Sequence, residues 1–121
     1  MGQRILVAED EMVIAFDLRD TVEEAGYEVE GPYAGTSSAL RACEGKRPDL
    51  AILDVSFGGD DSFRLASKLA ADHVPIIFRT GGKSSAMIAE RFPEALTVPK
   101  PCPPATMLAA VSGALGDRGR A

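Results

Sequence analysis

The feature that most constrains the fold of this chain is a series of short, nearly unbroken apolar runs set wide apart. They occupy residues 5–8, 50–53, 76–78 and 96–98. Because such a run presents no polar face to water, each predicts a strand covered on both sides, as in a parallel sheet. Residues 27–30 instead alternate between aromatic or apolar and charged side chains, which predicts a half-exposed strand at the edge of that sheet.

Between the strands, apolar residues recur at the three- and four-residue steps of an amphipathic helix. The first such segment stops at Gly26, a residue type that commonly ends helices. Further segments follow candidate N-caps or helix-starting prolines at 37–38, 61–62 and 103–104, and a short one spans 84–92.

The order is therefore β-α, five times over, and it predicts a doubly wound α/β fold in which helices cover both faces of one parallel sheet. A length of 121 residues suits a single domain over residues 1–121. We expect its core at about 3–115 and a loose tail at 116–121, after a last helix that ends at Gly116.

Charge and hydropathy exclude several classes of partner. The 13 Lys and Arg residues against 18 Asp and Glu residues give a net charge of −5. Nucleic acids and anionic membranes both attract a basic face, so we expect neither as a partner. No apolar run approaches the roughly 20 residues of a membrane span, and the first residues carry no secretory signal. The sequence predicts a cytoplasmic protein.

Cysteine and histidine are too sparse for two common kinds of site. Cys43 and Cys102 are the only cysteines, and neither lies near His73, the only histidine. We interpret Cys43 as a core thiol on a helix and Cys102 as a loop thiol. Zinc needs ligands at a spacing that is missing here, and a catalytic triad would depend on His73, in a helix-to-strand connection at the surface.

Polar residues follow the predicted strands where each one ends. Glu9, Asp10 and Glu11 follow the first, Asp54 the third, the segment 80–82 (Thr-Gly-Gly) the fourth and Lys100 the fifth. The carboxyl ends of parallel strands share one edge of a sheet, where ligands bind. Helix capping could account for any one acidic residue of the first group, but not for Asp54, which no helix follows directly, nor for Lys100 between two prolines.

Carboxylates this close repel one another unless a cation lies among them. An all-oxygen site with few carboxylates suits Mg²⁺, which pairs with phosphoryl groups. One oxygen of Asp54 could then attack phosphorus, while Lys100 pairs with the phosphoryl oxygens and Thr80 hydrogen-bonds to one of them.

At these residues the chain resembles the receiver domains of two-component response regulators. The motifs that carry the resemblance are 5–11 (Ile-Leu-Val-Ala-Glu-Asp-Glu), 48–54 (Pro-Asp-Leu-Ala-Ile-Leu-Asp), 78–81 (Phe-Arg-Thr-Gly) and 100–101 (Lys-Pro), and it covers residues 3 to 115. It implies a flavodoxin-like five-stranded sheet of order 2-1-3-4-5.

The resemblance also implies roles for individual residues. Asp54 accepts a phosphoryl group from a histidine kinase, Thr80 is the switch hydroxyl and Lys100 pairs with the phosphate. The metal-site residues are the acidic pair Glu9 and Asp10, with Asp54 and Ser56. Of these, Asp10, Asp54 and the backbone carbonyl of Ser56 would ligate Mg²⁺.

The sequence departs from the usual receiver pattern at two positions. Many receivers have Tyr or Phe where this chain has Thr97, and a Phe often stands where it has Cys102. The Phe-x-Thr-Gly stretch and the Gly58-Gly59 loop resemble a subgroup of stand-alone receivers associated with histidine kinases of the HWE class.

The predicted function is that of a single-domain response regulator that signals through phosphorylation-dependent protein contact or phosphate flow. The downstream protein or phosphotransfer protein is not identified by the sequence. One alternative is a pseudo-receiver that binds partners without phosphorylation. The other is an aspartate-nucleophile phosphatase, which would need a substrate cap and a second Asp two residues after Asp54, where Ser56 stands.

Overall fold

The computed structural model describes residues 3–55, 61–81 and 85–120, and for residues 61, 85 and 116–120 only the backbone is considered. The strands are β1 (Arg4–Ala8), β2 (Glu28–Tyr33), β3 (Leu50–Asp54), β4 (Ile76–Thr80) and β5 (Leu96–Pro99). The helices are α1 (Met12–Glu24), α2 (Thr36–Gly45), α3 (Asp61–Ala71), α4 (Ser85–Arg91) and α5 (Pro104–Arg120).

All strand pairs are parallel, and the sheet has the order β2-β1-β3-β4-β5. This confirms the expected α/β doubly wound fold and its 2-1-3-4-5 order. The three inner strands are buried almost throughout. The edge strand β2 is half-exposed, as its alternating sequence predicts.

The core consists of two apolar layers, one on each face of the sheet. Side chains of α2, α3 and α4 pack in one layer, and those of α1 and α5 pack in the other. In the first layer three rings touch: the centroid of Phe78 lies 5.5 Å from Phe92 and 5.9 Å from Phe63. These rings join β4 to α3 and to the residue that directly follows α4, and so fix the strand whose end enters the site.

Strand β2 is irregular where it approaches the site. Its pairing with β1 shifts in register before Tyr33, and Gly31 has φ +106 with a backbone so close to Val7 that a Cβ would lie 2.9 Å from the Val7 oxygen. Only glycine accommodates both conditions. Pro32 follows it within the strand, and the Tyr33 carbonyl accepts the Glu9 N–H at 3.0 Å.

Three local expectations prove wrong. Helix α2 begins at Thr36 after Gly35, rather than after Ser37 or Ser38. Helix α5 continues through Gly116 to Arg120, rather than ending at Gly116. A glycine inside a helix costs only about 1 kcal/mol and no proline follows it. The run at 96–98 is not covered on both sides, because β5 is the other edge of the sheet.

The expectations for the two cysteines and the histidine are confirmed. Cys43 is a buried free thiol on α2, and Cys102 is a half-buried free thiol in the β5–α5 loop. His73 is exposed between α3 and β4. Across residues 3–55, 61–81 and 85–120, no helix has the length and apolar character to cross a membrane.

Candidate functional site

The carboxyl edge of the sheet brings three acidic side chains together. Asp54 ends β3, while Glu9 and Asp10 follow β1. One carboxylate oxygen of each lies within 4.8 Å of the others. Glu9 and Asp54 are buried, and Asp10 is exposed. The cluster is therefore open to solvent at Asp10.

Lys100 reaches this cluster from the end of β5. Its Nζ lies 2.8 Å from Oδ1 of Asp54, and its side chain is 31% exposed. Thr80 ends β4 next to β3 and is buried. The structure thus brings the predicted residues Asp54 and Lys100 into contact, and it places the Thr80 side chain at the same edge of the sheet.

Arg79 is a second cation in the cluster, and the sequence motifs predicted no role for it. Its Nη1 lies 2.7 Å from Oε1 of Glu9 and 3.9 Å from Oδ2 of Asp54, and its side chain is 6% exposed. The signal was present in the sequence: an arginine extends an apolar strand run by one position, with Thr80 after it. In register, Asp54 is the β3 partner of Arg79.

Glu9 is held by protein groups at both carboxylate oxygens. Arg79 donates to Oε1, and the backbone N–H of Glu11 donates to Oε2 at 3.0 Å. The pKa of the Glu9 carboxyl is raised to about 7 as the net of opposing effects: burial raises it most, the Glu11 N–H and the charge of Arg79 lower it, and the neighbouring Asp54 raises it. The carboxylates of the cluster therefore repel one another, and Arg79 and Lys100 compensate for only part of this repulsion.

The donor set of the cluster fits a small divalent cation. Carboxylate oxygens are the ligands that Mg²⁺ prefers, and Mg²⁺ usually keeps several waters, for which the exposed side of Asp10 leaves room. Asp10 and Asp54 are the carboxylates expected to contact such an ion directly. Both oxygens of Glu9 accept hydrogen bonds, and Oδ1 of Asp54 accepts one from Lys100. Ser56, the fourth predicted residue, lies outside the described residues, as do Gly58, Gly59 and Gly82.

A groove of about 540 Å³ adjoins the cluster between α1 and the start of α5. Arg79 and Lys100 reach it from the sheet, and Met107 lines it from α5. Beside it, the first turns of α1 expose three large apolar side chains: Met12, Val13 and Phe16. Apolar side chains exposed next to a reactive site are typical of a surface that another protein contacts.

The two departures from the usual receiver pattern lie on opposite sides of β5. Thr97 is exposed on this edge strand. Cys102 packs against the layer formed by α1 and α5, and burial raises the pKa of its thiol.

Comparison with known proteins identifies the family. The sequence profile of the response regulator receiver domain matches residues 5–112. The chain belongs to this family. Receiver domains act in two-component signalling. The resemblance predicted from four short motifs is therefore confirmed over most of the chain.

Two similar curated proteins are regulators by name. The phyllosphere-induced regulator PhyR of Methylorubrum extorquens is 35% identical over 118 residues, which are 95% of this chain and 44% of that protein. The transcriptional regulatory protein PdtaR of Mycobacterium tuberculosis is 37% identical over 79 residues, 64% of this chain and 38% of that protein. This receiver chain spans less than half the length of either relative.

Solved structures of similar proteins share the fold. The PhyR receiver domain of Erythrobacter litoralis superposes with a TM-score of 0.83 at 26% identity, covering 94% of this chain and 90% of that one. PhyR of Bartonella quintana, described as an anti-anti-sigma factor, gives a TM-score of 0.82 at 27% identity, covering 98% of this chain and 49% of that one.

Proposed function

We propose that this receiver domain accepts a phosphoryl group on Asp54 from a histidine kinase, in a reaction that requires Mg²⁺, and signals through the phosphorylated form. The contact that carries the proposal is the one between Lys100 Nζ and Asp54 Oδ1, at 2.8 Å. In this contact a cation lies against a buried carboxylate, beside two further acids. The exposed side of Asp10 is where a phosphodonor would approach.

The chemistry is a displacement at phosphorus. An oxygen of Asp54 forms a bond to phosphorus as the bond from phosphorus to the imidazole nitrogen of a phosphohistidine breaks, and the imidazole leaves with that electron pair. Bound Mg²⁺ would neutralise charge on the phosphoryl oxygens. Lys100 supplies a second positive charge beside the acceptor oxygen, and the Thr80 hydroxyl would donate a hydrogen bond to a phosphoryl oxygen after transfer.

The acyl phosphate would change the charge at the end of β3. A phosphoryl group carries about −1.5 to −2 charges at neutral pH, next to a carboxylate that already faces Lys100 and Arg79. We infer that Lys100 and Thr80 shift toward it, so that the loops after β4 and β5 repack and alter a surface that a partner contacts. Because Thr97 is not aromatic, this response does not use an aromatic switch at that position.

Partners are proteins in this proposal. The phosphodonor is a histidine kinase, of the HWE class if the Phe-x-Thr-Gly pattern at 78–81 indicates the subgroup. The exposed apolar side chains of Met12, Val13 and Phe16 next to Asp10 support contact with a protein donor. Downstream, the phosphorylated domain contacts a regulatory protein or passes the group to a phosphotransfer protein. The net charge of −5 supports a cytoplasmic signalling role without nucleic acid or membrane contact.

Intact-mass spectrometry tests the acceptor. Wild type, Asp54→Asn and the control Asp20→Asn are incubated with Mg²⁺ and acetyl phosphate. Asp20 is a matched control because it lies exposed on α1. We expect a single phosphoryl adduct on wild type and on Asp20→Asn, no adduct on Asp54→Asn, and loss of the adduct with EDTA.

The alternatives predict other masses. A pseudo-receiver would give no adduct on any of the three proteins although all are folded. An adduct on Asp54→Asn equal to that on wild type would show that another residue is the acceptor. Sustained turnover of an added phosphomonoester, at a rate above that of adduct formation, would indicate a phosphatase.

A further inference from the structure

A buried arginine within a central strand calls for a physical reason, because a charge removed from water is costly unless partners compensate for it. Arg79 lies in β4, two residues after Ile77, and therefore on the same face of the sheet, the one covered by α1 and α5. Its side chain is 6% exposed. The Nε–H of Arg79 has no acceptor among the described residues. Hydrogen bonds alone therefore do not explain why this side chain is buried.

We propose that Arg79 is a fixed counter-cation of the acidic cluster, which keeps Glu9 out of the metal's coordination shell and weakens the affinity of the cluster for Mg²⁺. The inference rests on the proposed function in one respect, since it takes Asp10 and Asp54 as the Mg²⁺ ligands. It concerns a residue to which the phosphoryl transfer itself assigns no part.

The contacts of Arg79 fix its place between two acids. Its Nη1 lies 2.7 Å from Oε1 of Glu9 and 3.9 Å from Oδ2 of Asp54. The second oxygen of Glu9 accepts the N–H of Glu11 at 3.0 Å. Because both of its oxygens accept hydrogen bonds from the protein, we infer that Glu9 does not coordinate a divalent ion, which would bind Asp10 and Asp54 instead.

The charge of Arg79 also acts on the ion directly. A divalent cation that binds Asp54 comes within several ångströms of the guanidinium, and the two repel. At the intermediate effective dielectric of a partly open site, this repulsion corresponds to a change of about tenfold or more in the dissociation constant. Mg²⁺ therefore enters a cluster that already contains a permanent positive charge, and this sets a weak affinity.

A magnesium titration of full-length variants tests this proposal. The Kd for Mg²⁺ is measured at pH 8 from amide chemical shifts in wild type, Arg79→Met, Arg79→Lys and Arg47→Met. Arg47 is the control for loss of one positive charge, because it is exposed before β3 and donates to the Asp72 carbonyl at 2.8 Å, at the opposite end of the sheet. We expect Arg79→Met to bind Mg²⁺ about tenfold more tightly, and Arg79→Lys and Arg47→Met to stay near wild type.

A second comparison covers the case in which Arg79→Met does not fold, because that change leaves the Glu9 carboxylate buried without its cation. Glu9→Gln is compared with the double variant Glu9→Gln/Arg79→Met, in which no charge is stranded. Loss of Arg79 in this background is again expected to tighten Mg²⁺ binding by about tenfold. An unchanged or weaker affinity overturns the proposal, as does an equal gain in Arg79→Lys, which would trace the effect to packing.

This result is independent of the phosphoryl adduct. If Arg79→Met binds Mg²⁺ more tightly but wild type takes no phosphoryl group, the proposed function fails and the role of Arg79 stands. If the adduct forms and the affinities do not differ, the reverse holds.

Discussion

Lys100 and Asp54, which lie 46 positions apart in the chain, meet at the carboxyl edge of the sheet with 2.8 Å between Nζ and Oδ1. The ammonium approaches from the solvent side, with its side chain 31% exposed, whereas the carboxylate side chain is 5% exposed. The contact thus joins a buried acceptor to a cation that water still reaches. An ammonium in this position has room to move and pair with the oxygens of a phosphoryl group bound to Asp54.

Replacing Lys100 by methionine should separate chemistry from stability. We expect phosphorylation by acetyl phosphate to slow by about tenfold or more, because a positive charge beside the developing phosphoryl charge is lost. Stability should change by no more than about 1 kcal/mol, since the lysine is partly solvated. The rate is followed by intact mass and stability by urea unfolding, with Lys68→Met as the control on α3. Phosphorylation at the wild-type rate would contradict the role of Lys100.

Magnesium should stabilise the folded protein through Asp10 and Asp54. At ten times a millimolar Kd, an ion that binds only the folded state adds about 1.4 kcal/mol, which corresponds to a rise of roughly 5 °C in Tm for a domain of this size. Thermal unfolding with EDTA and with Mg²⁺ measures it. We expect Asp10→Asn to lose most of the rise and Asp20→Asn to keep it. A rise of equal size in Asp10→Asn would exclude this aspartate as a ligand.

Glu30 should make stability depend on pH below neutrality. The Tyr33 hydroxyl donates to Oε2 of Glu30 at 2.5 Å and, with the Arg4 guanidinium, holds the pKa of this carboxyl below its usual value of 4.5. The stabilisation is complete above the unfolded pKa and is lost as pH falls through the folded one. Glu30→Gln should therefore be less stable than wild type at pH 7, and the difference should shrink at pH 3.

Urea unfolding at both pH values measures that difference, with Glu28→Gln as the control, because Glu28 is exposed on the same strand. A difference that stays constant between the two pH values would show that the Glu30 contacts contribute nothing through charge.

Phe92 should fix α4 on the sheet. Its ring is buried and packs on Phe78, with 5.5 Å between centroids, and on Phe63, with 6.1 Å. Phe92→Ala should cost about 3–5 kcal/mol and increase amide hydrogen exchange in α4 before the rest of the domain. Met87→Ala is the control, because Met87 is 36% exposed on α4, the helix that ends one residue before Phe92. Equal exchange in the two variants would mean that the ring cluster does not hold the helix.

The sequence predicts the order of the elements well because apolar runs and helical periodicity report on burial directly. The 2-1-3-4-5 order came from the family resemblance, and the alternation at 27–30 supported only the edge position of β2. The exposure of Leu96 on β5 was not predicted. The same apolar sequence occurs in a central strand and in an edge strand that a helix covers on one face only, so the sequence does not distinguish the two.

The sequence predicted the acidic residues of the candidate site and Lys100, but it did not predict the buried cation Arg79. Strand ends identified Asp54 and Lys100 because all carboxyl ends meet at one edge. Arg79 was missed because a charged residue near a strand end is normally expected to face solvent. Its burial depends on a contact with Glu9 across 70 positions, which no local pattern encodes.

The prolines of the two edge strands limit how this domain can be recognised. Pro32 lies within β2 and Pro99 ends β5, and a proline has no N–H to offer to a neighbouring strand. Neither border of the sheet therefore presents an unbroken row of donors on which another chain could add a strand. A protein that binds the phosphorylated form proposed for this domain would do so through helix faces and loops, where side chains rather than backbone ladders determine specificity.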